Sequence, residues 1–315
     1  MNATVGLPRA LLYHKYGDLW TSFFETLGVP TVVSPPTNRA ILERGSRLAV
    51  DETCLPMKIF LGHVDELLSK ADYVLVPRVA SLVRGETTCV KFLGAYDVTL
   101  NSIPNARLLE YDVDVVNGKR QAPEMRRLGR SFERNVTKVM YAYARAYRES
   151  KRRHLEHARQ QERAALAPGL KVLVVGHPYN IRDELIGVPV VSILREQGAS
   201  VLVAEMSDAS EAKSLSARIS RDVPWTFNKE LLGAVEHYRP LVDGIVFLVT
   251  FPCGPDSLMT ELCVRRLDGM PTIVLVLDEL QGEAGLRTRL ESFVDLLKMR
   301  PGGRFATDAV MGVRP

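Results

Sequence analysis

The feature that most constrains the fold is a repeat of 29 residues that begins at Val5 and again at Val175. Each copy has a short apolar run that ends in Gly-x-Pro, then a helical pattern, a glycine and a second apolar, β-branched run. In both copies, 22 residues separate the glycine of Gly-x-Pro from the glycine that ends the helical pattern. This order predicts a strand–helix–strand unit that occurs twice.

Each half of the chain continues with alternating helix and strand patterns. In the first half a helix is predicted from Cys54 to about residue 69, and a buried strand begins at Tyr73. In the second half, apolar strands at residues 244–249 and 272–277 alternate with helices. Such alternation predicts parallel sheets with right-handed crossovers, covered on both faces. The sequence therefore predicts an α/β protein with two doubly wound domains of the flavodoxin-like or Rossmann-like type, at residues 1–118 and 169–300.

A basic helical segment is predicted to join the two domains at residues 119–168. It is rich in Arg, Ala, Glu and Gln and has no glycine between Ser131 and Ala167. One long helix or two helices are expected, either as a solvated bridge or as a surface for an anionic partner or the phosphates of coenzyme A. Residues 301–315 are predicted to form a frayed tail.

Composition and charge exclude several classes of protein. The net charge of +4 over 315 residues is too small to indicate nucleic-acid binding. No apolar run approaches the ~20 residues that span a membrane, and the N-terminus lacks the pattern of a signal peptide. We therefore expect a cytoplasmic protein without a membrane partner. Four cysteines are too few for a secreted disulfide scaffold, so they are expected to be thiols or metal ligands.

Three cysteines are predicted at strand-to-helix junctions. Cys253 follows the strand at residues 245–251, Cys89 lies in a polar loop after a strand that ends near Pro77, and Cys54 comes shortly before Pro56. Ligands of doubly wound domains bind at this carboxyl edge of the sheet, and the amides of a helix start stabilise thiolate. An iron–sulfur cluster, a zinc site and plain buried thiols all remain open. The fourth cysteine, Cys263, lies on an apolar helix stripe and is predicted to be structural.

At these residues the sequence resembles a known family, the 2-hydroxyacyl-CoA dehydratases and acyl-CoA dehydratase activase-related proteins. The resemblance covers roughly residues 5–110 and 170–300. It rests on the order and spacing of seven stretches: Gly6-Leu-Pro-Arg-Ala, Ser34-Pro-Pro-Thr, Asp51-Glu-Thr-Cys-Leu-Pro-Met-Lys with Gly62-His63, Cys89-Val-Lys-Phe, Gly176-His-Pro-Tyr-Asn, Phe251-Pro-Cys-Gly-Pro-Asp-Ser, and Leu277-Asp-Glu with the segment from Glu283.

The resemblance implies two flavodoxin-like halves with a [4Fe–4S] cluster between them, in the inter-domain cleft. Cys54, Cys89 and Cys253 match the cysteine positions of the family. In such systems a separate ATP-dependent activase donates one electron at very low potential, and a ketyl radical forms on an acyl-CoA substrate. A related group holds a double-cubane cluster, which here requires a second dehydratase-like subunit or a homodimer. The chain lacks a phosphate-binding glycine-rich loop, so it is expected to bind no ATP itself.

The expected function is therefore that of an iron–sulfur subunit in anaerobic metabolism, acting on an acyl-CoA or another small molecule as a lyase or as part of an ATP-coupled reductase. The alternative is a non-catalytic cluster carrier, assembly factor or electron-transfer relay.

Several polar residues are further candidates for the site. His177 and Tyr179 follow a predicted strand and are candidate proton donors to a substrate. Asp278 and Glu279 are expected to cap an element or to bind a partner, and His63 is expected to be structural. Candidates to face the cluster or the phosphates of a thioester, or to support the site, are Lys58, Arg78, Lys91 and Asn180.

Overall fold

The computed structural model describes residues 3–205, 208–280 and 282–300 of the chain. The predicted tail at residues 301–315 lies outside these ranges. The chain divides into two compact units. The first comprises Met1–Leu155 with Pro224–Phe227, and the second comprises Glu156–Val223 with Asn228–Pro315.

Among its described residues the first unit has four strands: β1 (Val5–Leu7), β2 (Thr31–Val33), β3 (Tyr73–Ser81) and β4 (Leu108–Asp114). They form one parallel sheet in the order β2-β1-β3-β4. The helices that begin in this unit are α1 (Tyr13–Leu27), α2 (Arg39–Leu48), α3 (Leu55–Leu67), α4 (Val90–Leu93), α5 (Ala95–Ser102), α6 (Gln121–Arg130) and α7 (Val136–Leu166).

The second unit, over its described residues, also has four strands: β5 (Lys171–Val175), β6 (Ser200–Val203), β7 (Gly244–Thr250) and β8 (Thr272–Leu277). They form a parallel sheet in the order β6-β5-β7-β8. The remaining helices are α8 (Pro178–Ile181), α9 (Gly187–Glu196), α10 (Ala209–Ile219), α11 (Thr226–Tyr238), α12 (Gly254–Val264) and α13 (Glu283–Met299).

The two sheets share one strand order, which confirms the predicted α/β fold with two doubly wound parallel sheets. In each unit the first strand lies between the second and the third, as in flavodoxin-like proteins. The order of the strands reverses between the first and third strands, which leaves a crevice at their carboxyl ends. Ligands of such folds bind in that crevice. Every residue of β5 and β7 is buried, as expected for strands covered on both faces.

The segment predicted to be a helical connector contains two helices, α6 and α7. Helix α7 has 31 residues, so it is about 46 Å long at 1.5 Å per residue. No helix in the described part of the chain combines the length and the apolar character that crossing a membrane requires.

Helices α2 and α3 of the first unit touch backbone to backbone at two glycines. A Cβ atom added at Gly45 would lie 1.8 Å from the carbonyl oxygen of Lys58, and one added at Gly62 would lie 2.0 Å from that of Ile41. These contacts pair the start of each helix with the end of the other, so the two helices form an antiparallel hairpin. Any side chain at either glycine forces the helices apart.

We therefore predict that Gly62→Ala destabilises the protein by about 1–3 kcal/mol, because the added methyl group overpacks a backbone contact. Chemical denaturation followed by circular dichroism measures the change. The control is Gly285→Ala in α13, where a Cβ atom meets nothing within 4 Å and alanine favours the helix. If both variants retain the wild-type stability, the close contact between the helices is wrong.

Candidate functional site

Cys54 is the N-cap residue of α3, where its backbone is extended (φ −61°, ψ 146°) and its carbonyl accepts hydrogen bonds from Met57 and Lys58. The prediction of a strand-to-helix junction is wrong for this cysteine, because α2 intervenes after β2. The side chain of Asn38 accepts a hydrogen bond from the amide of Ile41 (3.1 Å) and so starts α2. Cys54 thus lies at the turn of the helical hairpin and is half-buried.

His63 fixes α3 to the end of β2. Its ring nitrogens Nδ1 and Nε2 lie 2.8 Å from Ser34 Oγ and 2.9 Å from Thr37 Oγ1, and its side chain is completely buried. Ser34 Oγ also accepts a hydrogen bond from the amide of Arg9 (2.8 Å), just after β1. His63 is therefore structural, as predicted. Because Cys54 precedes His63 by nine residues, it lies about 13 Å farther along the helix axis.

Burial lowers the pKa of His63 from 6.5 to about 3, with nearby His14 and Arg9 adding to the effect. With this low pKa, the ring of His63 is neutral at ordinary pH. A neutral imidazole has one donor nitrogen and one acceptor nitrogen, so His63 can bond to both the Ser34 and the Thr37 hydroxyls in either tautomer.

Cys89 follows β3, which extends beyond the predicted end at Pro77 to Ser81. A loop then returns to the strand, where the amide of Thr88 donates to the carbonyl of Ala80 (2.9 Å) and its hydroxyl donates to that of Val79. Cys89 is the N-cap residue of α4 (φ −60°, ψ 144°) and is half-buried. The junction predicted for Cys89 is confirmed.

Arg78 lies within β3 rather than after it. Its Nη1 lies 3.6 Å from a carboxylate oxygen of Asp97, in α5, and about a third of its side chain is exposed. Lys58 lies in the first turns of α3 and Lys91 in α4, and both side chains are half-buried. The predicted roles of these three cations toward a cluster or a phosphate remain predictions.

Cys253 is the N-cap residue of α12, directly after β7, and confirms its predicted junction. Its carbonyl accepts from the amide (3.0 Å) and the hydroxyl (2.7 Å) of Ser257. Its backbone is extended (φ −110°, ψ 101°) and its side chain is half-buried. Cys253 and Cys89 thus occupy equivalent places in the two units, each after the third strand of its sheet.

A buried carboxylate, Asp256, organises the turn around Cys253. Its Oδ1 lies 2.8 Å from His177 Nε2 and accepts a hydrogen bond from Asn228 Nδ2 (2.9 Å), and the carboxylate also accepts one from the thiol of Cys253. Burial raises the pKa of Asp256, but its interactions with His177, Asn228 and Cys253 outweigh this effect and lower the pKa below its usual range. Asp256 is therefore a buried carboxylate ion that hydrogen bonds stabilise.

His177 and Tyr179 follow β5, so they lie at the crevice between the first and third strands of the second sheet. His177 is buried, its Nε2 is bonded to Asp256, and its ring stacks on Tyr179 with centroids 5.0 Å apart. Asn180 is completely buried, and neither amide atom of its side chain has a hydrogen-bond partner among the described residues. The predicted proton donation by His177 and Tyr179 remains a prediction.

Cys263 differs from the other three cysteines, as predicted. It is fully buried in α12, its sulfur lies 3.8 Å from that of Met259, and burial raises the pKa of its thiol to about 12. No disulfide joins any of the four cysteines. Among the described residues, no three side chains of His, Cys, Asp or Glu are grouped to hold a single metal ion.

Sequence reasoning missed the roles of Asp256 and Asn228. Asp256 lies in the first turn of α12, and its partners cannot be inferred from that position. Asn228 lies 28 residues earlier, in α11, and carries no local signal. Asp278 follows β8 and its Oδ1 accepts a hydrogen bond from the amide of Leu280 (2.8 Å), so it stabilises a local turn and does not cap α13, whose N-cap residue is Gly282.

Comparison with known proteins gives one family. Residues 4–206 match the family model described as the CoA enzyme activase uncharacterised domain (DUF2229). The match covers more than half of the chain and includes Cys54, Cys89 and His177, whereas Cys253 and Asp256 lie beyond it. No curated protein matches the chain.

The depressed pKa of His63 predicts how stability depends on pH. Between pH 6.5 and about 3 the unfolded chain binds a proton at His63 that the folded chain does not bind. Stability therefore falls as the pH is lowered through this window, by at most about 1.4 kcal/mol per pH unit from this residue. Urea unfolding at several pH values should show a steeper slope in the wild type than in His63→Gln. Equal slopes would refute a buried neutral His63.

The hydrogen bonds of Asp256 predict that Asp256→Asn destabilises the protein by about 2–3 kcal/mol, because the buried donors lose their charged acceptor. Denaturant unfolding measures the loss, with the exposed Asp268→Asn as the matched control. In a double-mutant cycle with Asn228→Ala, we expect a coupling energy above about 0.5 kcal/mol. Additive effects would show that Asp256 acts only as a helix cap.

Proposed function

Because the chain belongs to the CoA enzyme activase uncharacterised domain family, we propose that it is the iron–sulfur component of an activase-dependent enzyme system. In this proposal Cys54, Cys89 and Cys253 ligate a cluster of the [4Fe–4S] type, an ATP-dependent activase supplies the electrons, and the substrate is an acyl-CoA or another small molecule. The observation that carries the proposal is the shared setting of the three cysteines. Each is a half-buried N-cap residue in extended backbone.

The three thiols suit this group chemically. They are reduced, accessible and placed at helix starts, where backbone amides stabilise negative charge on sulfur. Cys263 provides the contrast within the same chain, because it is buried among apolar groups and its thiol is inert. When bound, such a cluster supplies one-electron transfer at low potential and, with three thiolate ligands, an iron open to a further ligand.

His177 also acts in this proposal as a positioning residue, besides its predicted proton donation with Tyr179. Its Nε2 is bonded to Asp256, and Asp256 in turn accepts the hydrogen bond of the Cys253 thiol. Asn228 holds the same carboxylate oxygen from α11. Together these bonds fix the turn that carries Cys253, so the residue meets an incoming metal group in a defined orientation.

Exposed apolar side chains beside the cysteines support a protein partner. Val50 precedes Cys54 by four residues and is 76% exposed, and Val90 directly follows Cys89 and is 71% exposed. Phe251 precedes Cys253 by two residues and is 58% exposed. Large apolar side chains at functional turns are typical of surfaces that a partner covers. We assign these surfaces to the electron-donating activase.

Anaerobic purification tests the proposal. We expect iron and acid-labile sulfide in the wild type and an electron paramagnetic resonance signal after reduction with dithionite. Cys54→Ala, Cys89→Ala and Cys253→Ala should each lose most of the iron and the signal, because each removes a thiolate ligand. Cys263→Ala is the matched control and should keep both, although its small cavity lowers stability.

The outcomes separate the rival functions. Stoichiometric zinc, or no metal in protein purified and reconstituted without oxygen, would overturn the proposal. A change in the resonance signal on addition of an acyl-CoA supports a catalytic subunit. If an acyl-CoA leaves the signal unchanged and the protein passes its electron to an acceptor, the protein is an electron relay rather than a catalytic subunit. Circular dichroism of every variant separates lost ligation from lost folding.

A further inference from the structure

A groove lies on the solvent-exposed face of α6. This helix is distant along the sequence from the turns that carry Cys54, Cys89 and Cys253. The groove has a volume of about 520 Å³ and is lined by Pro123, Arg126, Arg127, Arg130 and Ser131. The first four of these residues follow the spacing i, i+3, i+4, i+7, so they share one face of the helix. The opposite face is buried through Met125, Leu128 and Gly129. Three guanidinium groups therefore border one concave surface that is open to solvent.

One of the three guanidinium groups is already fixed in position. Arg127 donates from Nε to Glu124 (2.8 Å), and from Nη2 to Glu124 (2.6 Å) and to the carbonyl of Glu110 (2.7 Å). These bonds, chiefly those to Glu124, raise the pKa of Arg127. Among the described residues, no hydrogen bond is made by its Nη1. A rigid donor of this kind costs little conformational entropy when it binds a ligand.

The other two guanidinium groups have no acidic partner. Arg126 and Arg130 are exposed and make no hydrogen bond or ion pair with any residue that the structure describes. Basic residues in a last helical turn also stabilise the helix end, and Arg130 does so here. That effect fades within one turn, so it accounts neither for Arg126 nor for the groove.

The surrounding segment adds a positive field. Residues 121–155 contain ten Lys or Arg and three Glu, a net charge of +7, whereas the whole chain carries +4. Each of the three acids is paired with a basic residue of the same segment: Glu124 with Arg127, Glu133 with Lys138 and Glu149 with Arg153. The excess charge therefore attracts anions to this surface.

From these contacts we propose that the α6 groove binds the phosphate groups of a small organic polyphosphate. Guanidinium groups bind phosphate oxygens through paired, charge-assisted hydrogen bonds, and three of them around one groove match a diphosphate or a triphosphate. The volume is in the range of small-molecule sites. This site does not depend on the function proposed for the cysteines.

Isothermal titration calorimetry of the full chain at low salt tests the site with three probes: inorganic pyrophosphate, ATP and coenzyme A. We expect saturable binding that weakens with added salt. The double variant Arg126→Gln/Arg130→Gln should raise the dissociation constant at least about tenfold, which corresponds to about 1.4 kcal/mol. Competition among the probes at one site supports phosphate as the shared determinant. Binding of only ATP or only coenzyme A supports the site and identifies its ligand.

The control variants are Arg145→Gln/Arg148→Gln, which make the same change in charge on α7, outside the groove. They should change the dissociation constant by less than about twofold, because a screened field acts weakly at a distance. All four arginines are exposed, so the variants are expected to fold, and thermal unfolding checks this. Absence of saturable binding by all three probes, or an equal loss in the control, would overturn the proposal.

Discussion

The arrangement of the candidate site depends on the position of the first strand between the second and the third in each parallel sheet. This order places the turns after the first and third strands side by side at one edge, although they are far apart in sequence. His177 and Asp256 are separated by 79 residues and yet lie 2.8 Å apart, because β5 and β7 are neighbours. In the first unit, the same strand order brings Arg9, after β1, to Ser34, after β2.

The two units stabilise their cysteine-bearing turns by different means. In the second unit a buried carboxylate, Asp256, contacts the thiol of Cys253 directly. In the first unit the position of Cys54 is set indirectly. The glycine contacts between α2 and α3 and the hydrogen bonds of His63 fix the helix that Cys54 begins. A histidine is thus buried and neutral in one unit, whereas in the other a histidine supports a buried negative charge. The two units share a strand order but differ in their buried polar groups.

Local patterns were sufficient to predict the fold and two of the three cysteine junctions. Gly-x-Pro followed by an amphipathic stretch marks the turn after the first strand of each unit, and the prolines after Cys54 and Cys253 mark helix starts. Helix α2 was missed because only Ile41 and Leu42 of its ten residues are buried large apolar side chains, and Gly45 reads as a breaker. Only the tertiary contact with α3 accounts for that glycine. Asn228 reaches Asp256 through the fold alone, so no local pattern could predict it.

Under the proposed function, Cys253 would exchange its hydrogen bond to Asp256 for a bond to iron. A thiol that donates a hydrogen bond and a thiolate that ligates a metal are alternative states of the same residue, because ligation removes the proton that the carboxylate accepts. In the ligated state Asp256 still has His177 and Asn228 as partners. Asp256 would therefore keep two of its hydrogen-bond partners when Cys253 is a ligand. The buried network is accordingly compatible with both states of Cys253.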